Sequence, residues 1–107
     1  MDLETERKRL ERASDYIIEF TEHAKHRLSV RQLSRGEVED NLKDPRKLSF
    51  VRSDKQDKTK REYYFRLSNT LTHKYVVQFD ESNKKLKVIT VVKIRNKWQR
   101  LIDRWLK

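Results

Sequence analysis

The chain has 107 residues, enough for one domain with one hydrophobic core. Its 27 Lys and Arg against 17 Asp and Glu give a formal charge of +10, which points to a polyanion as partner or to a strongly solvated surface. The absence of cysteine excludes a disulfide framework, a thiolate nucleophile and a zinc–thiolate site. The apolar runs are far shorter than the ~18 residues a membrane span requires, and the charged N-terminus does not read as a signal peptide, so a cytoplasmic protein is expected.

Charged residues make up 41% of the chain, but two Trp, four Tyr and four Phe, all from Tyr16 onward, supply material for a core. Residues 2–13 are good helical sequence, with Glu4 and Lys8 at i,i+4. Only Leu3, Leu10 and Ala13 there suit a core, which predicts a loosely docked helix or tail over 1–15 and a single domain over 16–107. Tyr16–Phe20 alternates as a short strand, with Tyr16, Ile18 and Phe20 on one face. Thr21 then caps a helix over Glu22–Leu28, and Ser34 with Glu37 has the spacing of a capping box for a helix over residues 35–42. Asp44-Pro45 ends it, because the residue before proline is pushed out of the helical region.

Beyond the proline the period changes to two, predicting strands over Lys47–Arg52, Glu62–Leu67, Tyr75–Phe79 and Lys85–Ile94. The short connections Ser68-Asn69-Thr70 and Asp80-Glu81-Ser82-Asn83 favour an antiparallel meander. From Ile94 the apolar residues Trp98, Leu101, Ile102, Trp105 and Leu106 fall at helical spacing, predicting an amphipathic C-terminal helix that lies on the sheet or serves as a homodimer surface. The expected fold is α+β, with an antiparallel sheet of four to five strands, two short helices on its N-terminal side and that C-terminal helix.

This order, together with Phe20-Thr21-Glu22-His23-Ala24, Arg27, Arg31, Glu37-Val38-Glu39, Leu42, Asp44-Pro45, Tyr63-Tyr64-Phe65-Arg66, Tyr75-Val76-Val77 and Val88-Ile89-Thr90-Val91-Val92, resembles the RelE/ParE-like toxin superfamily over about residues 16–94. The resemblance implies a RelE-like fold, an RNA or ribosome target, an antitoxin partner and, in many members, mRNA endonuclease activity. Other members poison different targets, so a non-catalytic nucleic-acid-binding or partner-binding module on the same fold stands beside the endonuclease.

Metal-independent RNA cleavage needs a base for the 2′-hydroxyl, a cation for the phosphorane and an acid for the 5′-oxygen. His23 and Arg27, at i,i+4, share a helix face and suit a base and a phosphate cation. The alternative for His23 is a helix-start histidine that bonds the neighbouring strand. Tyr64 and Arg66 share a strand face opposite Tyr63, Phe65 and Leu67, and suit base stacking and phosphate contact, or else an ordinary solvent face. Tyr75, with Val77 and Phe79, reads as core. The catalytic candidates are therefore His23, Arg27, Tyr64 and Arg66, and Arg31, Lys85, Lys87, Lys93, Arg95 and Lys97 are the candidate phosphate contacts. No cofactor is expected, and no metal either, since Arg does not ligate and His23 has no carboxylate pair at ligand spacing.

Overall fold

The computed structural model describes residues 2–57, 59–95 and Arg104. Helix α1 spans Leu3–Arg12, strand β1 Ile17–Phe20, helix α2 Glu22–Val30 and helix α3 Arg35–Lys43. A 3₁₀ turn at Pro45–Lys47 leads into β2 (Leu48–Ser53), β3 (Lys60–Ser68), β4 (Leu71–Asp80) and β5 (Lys85–Arg95). Each helix start follows from its cap: Asp2 accepts from Glu4 N–H, Thr21 from Ala24 N–H and Ser34 from Glu37 N–H, each meeting a donor that the first turn leaves without an intrahelical acceptor.

The five strands form one sheet in the order β1-β5-β4-β3-β2. β2 to β5 are the expected antiparallel meander, but β1 runs parallel to β5, with Ile17 opposite Lys85 and Phe20 opposite Val88. The sheet is therefore mixed rather than antiparallel. The tight connections that imply a meander govern only β2–β5; β1 returns to the sheet by tertiary pairing after the chain has crossed two helices and three strands.

Alternation along the strands sends Val51, Tyr63, Phe65, Tyr75, Val77, Leu86, Val88 and Val91 to one face, where they pack with Leu10, Ala24, Leu28, Val38 and Leu42 of the three helices. The opposite face, with Phe50, Arg52, Glu62, Tyr64, Arg66, Lys74 and Val92, lies away from α1–α3.

α1 is docked more firmly than its few apolar residues predict. Leu10 is fully buried, the Arg7 guanidinium donates to Pro45 O at 3.2 Å and Leu48 O at 2.6 Å, and Glu6 is buried against the sheet, accepting from the Tyr63 hydroxyl at 2.9 Å. Counting apolar positions missed these polar anchors. The expected C-terminal helix, with its Trp residues, its homodimer surface and Lys97, lies outside the described residues.

Candidate functional site

α2 runs beside β5 where β1 has ended and, among the described residues, no strand covers the sheet edge. Thr21 N–H bonds Val88 O at 3.1 Å, the Thr21 hydroxyl donates to Ile89 O at 3.1 Å, and the Arg31 guanidinium donates to Val91 O at 2.5 Å. These bonds satisfy edge carbonyls that β1 is too short to reach. Arg31, a candidate phosphate contact, is thus engaged in holding α2 to the sheet. His23 is exposed at the start of α2, with Nε2 3.2 Å from the Thr90 hydroxyl of β5, and Arg27 is half-buried one turn further along.

Tyr64 and Arg66 lie on the sheet face away from the helices. Tyr64 is 4% exposed rather than open to solvent: its ring meets Phe50 at a centroid distance of 5.4 Å, and its hydroxyl lies 3.3 Å from Glu62 Oε1. Lys74 stands 5.7 Å from the Tyr64 ring centroid and pairs with Glu62 at 2.9 Å. Burial, opposed by the Lys74 charge, holds the Tyr64 hydroxyl above its ordinary pKa. In the sheet register Thr90 faces Val76, which faces Glu62, and Ile94 faces Thr72, which faces Arg66. His23 at Thr90 is therefore two strands, about 10 Å, from the β3 row carrying Tyr64 and Arg66, and Arg66 lies several residues further along the sheet. His23 with Arg27 at the β5 edge and Tyr64 with Arg66 on β3 are thus two pairs, separated by two strands across the sheet.

The remaining candidate cations divide similarly. Lys85 pairs with Glu19 at 3.3 Å, and Lys87 is half-buried two residues further along β5. Lys93 donates to Gln32 O at 3.1 Å, fixing the turn between α2 and α3, and Arg95 is exposed at the end of β5.

Lys93 and Arg95 border a feature that the sequence reading missed. Between α3 and the end of the sheet formed by the β3–β4 turn and the last residues of β5 lies an open cleft of about 390 Å³. Its walls include Glu37, Asp40 and Asn41 of α3, Lys47, Leu67 and Leu71, with His73 at its base. His73 is 1% exposed, and its Nδ1 lies 2.7 Å from the Tyr75 hydroxyl, which in turn accepts from Asn41 Nδ2 at 2.9 Å. Burial lowers the His73 pKa to about 4, with Glu37 opposing and Lys93 and Arg95 reinforcing the shift, so the ring is neutral at pH 7. The signal for His73 was present: it stands two residues before Tyr75, on the same face of β4, where a polar residue among core positions requires a partner.

Among the described residues no group of three or more His, Asp or Glu gathers to hold a metal ion, and no helix is long and apolar enough to cross a membrane.

These features define a small basic α+β domain with a five-stranded mixed sheet, helices on one face and a polar cleft at one end. Residues 20–93 match the family model described as a domain of unknown function, DUF4258, and the chain belongs to that family. No curated protein matches the sequence. Among solved structures, the toxin–antitoxin complex RelBE2 from Mycobacterium tuberculosis is similar over 72% of this chain and 88% of the matched chain, at 16% identity and a TM-score of 0.45.

Proposed function

We propose that this chain is an RNA-directed effector of the toxin type that holds RNA electrostatically across the sheet face away from the helices and the adjoining cleft. The observation that carries this reading is the distribution of the +10 charge: Arg52, Arg66 and Lys87 belong to that face, and Lys47 and Arg95 stand at the cleft, all at least partly accessible. Cations spread over adjoining surfaces suit the regular phosphates of a nucleic-acid backbone better than a single small anion. The resemblance to RelE/ParE-like toxins extends the reading to an antitoxin partner and a ribosome-associated target.

Endonuclease activity is the second reading, favoured by one observation: His23 is exposed with Arg27 one turn away, a base and a cation on one helix that need no metal. In that reading Tyr64 and Arg66 contribute from β3, two strands away, the first by shaping the surface and the second by phosphate contact.

The test is to incubate labelled RNA with the purified protein, with and without translating ribosomes, over a range of salt, scoring retention and cleavage. Retention that falls steeply with salt, with a slope reduced by about one for each of Arg52→Ala and Lys87→Ala, supports the binding reading. Cleavage lost in the His23→Ala, Arg66→Ala double variant supports the endonuclease. Retention insensitive to salt overturns the electrostatic basis of both.

A further inference from the structure

The cleft at the end of the sheet holds a polar side chain whose orientation is fixed from behind. The Tyr75 hydroxyl has one proton. It accepts from Asn41 Nδ2 at 2.9 Å, and the acceptor that its own buried proton requires is at hand in His73 Nδ1, 2.7 Å away. The His73 proton then sits on Nε2, the nitrogen left over once Tyr75 has engaged the other. A neutral imidazole kept in one tautomer by the buried Tyr75 and the half-buried Asn41 is a preorganised donor. His73 is 1% exposed and lines the cleft, and with Nδ1 engaged by Tyr75 the nitrogen through which the ring can meet a ligand is Nε2.

The surroundings specify the class of ligand. Lys47 and Arg95 are exposed cations at the mouth, Glu37 and Asp40 on α3 are acceptors, and Leu67 and Leu71 supply an apolar wall. A simple anion would leave the two carboxylates repelled and the leucines unused. A nucleotide uses all three kinds of group: its phosphate meets the cations, its base plane meets the leucines, and the N–H and carbonyl groups of its base edge meet the carboxylates and a histidine donor. The volume of about 390 Å³ lies within the range of small-molecule pockets.

We propose that this cleft is a pocket for a single nucleotide of bound RNA, read at the base edge by the Nε2–H of His73 and held at the phosphate by Lys47 and Arg95. The proposal rests on the RNA-directed reading above and adds to it the site at which one base is distinguished. Tyr75 and Asn41 are positioning residues in it, because they act through His73.

The experiment is a titration of the full chain with each of the four nucleoside 5′-monophosphates, with ribose 5-phosphate and with inorganic phosphate, following the His73 imidazole and Asn41 side-chain amide resonances by NMR. RNA retention is measured in parallel. The expected result is a saturable shift of the His73 ring with at least one nucleoside monophosphate and weaker binding of ribose 5-phosphate. Arg95→Ala should weaken the nucleotide, while Lys25→Ala, on the exposed side of α2, should leave it unchanged. Tyr75→Phe, which keeps the ring and removes the hydroxyl, should release the tautomer and weaken nucleotide binding by up to about tenfold, the worth of one hydrogen bond. RNA retention with no nucleotide-induced shift at His73 overturns the pocket and leaves the RNA reading standing. Equal shifts with inorganic phosphate and the nucleotides reduce the cleft to an anion site and overturn base recognition. Failure of the wild-type chain to retain RNA overturns the functional reading itself, and with it the assignment of the pocket to RNA.

Discussion

The Tyr63 hydroxyl donates to Glu6 Oε1 at 2.9 Å across a separation of 57 residues, and both side chains are buried. The Arg61 Nε lies 3.5 Å from the same carboxylate oxygen, so the bond joins α1 to β3 within a small charged cluster beneath the sheet. Burial first, and the Glu6 carboxylate second, push the Tyr63 hydroxyl far above its ordinary pKa, which keeps it a donor throughout the physiological range. Tyr63→Phe leaves the carboxylate buried with one donor fewer. It should destabilise the fold by about 1.5–3 kcal/mol in urea unfolding, with RNA retention of the folded fraction unchanged. A loss below a few tenths of a kcal/mol would mean that α1 is held by Arg7 and Leu10 alone.

His73 makes stability depend on pH. Its ring titrates near 6.5 when unfolded and at about 4 when folded, so between these values the unfolded chain binds the extra proton. The stabilisation is fully present above pH 6.5 and is lost as pH falls toward 4, a difference on the order of 3 kcal/mol. Denaturant unfolding at pH 7.5, 6 and 5 should follow this slope, and His73→Gln should flatten it. Parallel pH profiles for the two proteins would contradict the assignment.

Arg31→Ala should separate architecture from binding. Its guanidinium bond to Val91 O closes the β5 edge beyond β1, and removal leaves a part-buried carbonyl without that donor. A loss of about 1–3 kcal/mol is expected, together with faster hydrogen exchange in α2. The RNA retention of the folded protein should keep its salt slope. A reduced slope with unchanged stability would return Arg31 to the phosphate contacts.

Gln32 ends α2 with φ of 54°, in the left-handed region, while Leu33 N–H closes the turn onto Leu28 O at 2.9 Å. Glycine is the usual residue at such a helix end, having no Cβ to resist the conformation. Gln32→Gly should therefore raise stability, by up to about 1 kcal/mol, and Gln32→Val should lower it. Thermal melts of the two variants give the sign directly. Since Lys93 bonds the Gln32 carbonyl and not its side chain, that contact should survive both changes.

The elements and the core face were readable from the chain because both depend on local spacing. Thr21 and Ser34 mark helix starts by what lies three residues on, and a period of two along Tyr63–Leu67 and Tyr75–Phe79 separates one sheet face from the other. The same logic extended to His73 would have put it on the core face. What no local rule supplied was its environment: Asn41 comes 34 residues before Tyr75 and meets it only after α3 has crossed the sheet. The burial of Tyr64, which alternation places on a stacking site or an ordinary solvent face, escapes the sequence for a related reason. Alternation fixes which face a side chain takes, whereas burial on that face depends on neighbours such as Phe50, brought in by another strand.

By itself, then, the sequence determined a basic single-core α+β domain with its helix caps, strand faces and meander, because capping, periodicity and turn chemistry act over a few residues. Tertiary structure alone decided that β1 joins β5 in parallel, that Arg31 and Lys93 serve backbone carbonyls, and that His73, Tyr75 and Asn41 meet at a cleft. Those outcomes depend on contacts between residues distant in the chain, where the requirement to satisfy every buried polar group selects partners that spacing does not specify.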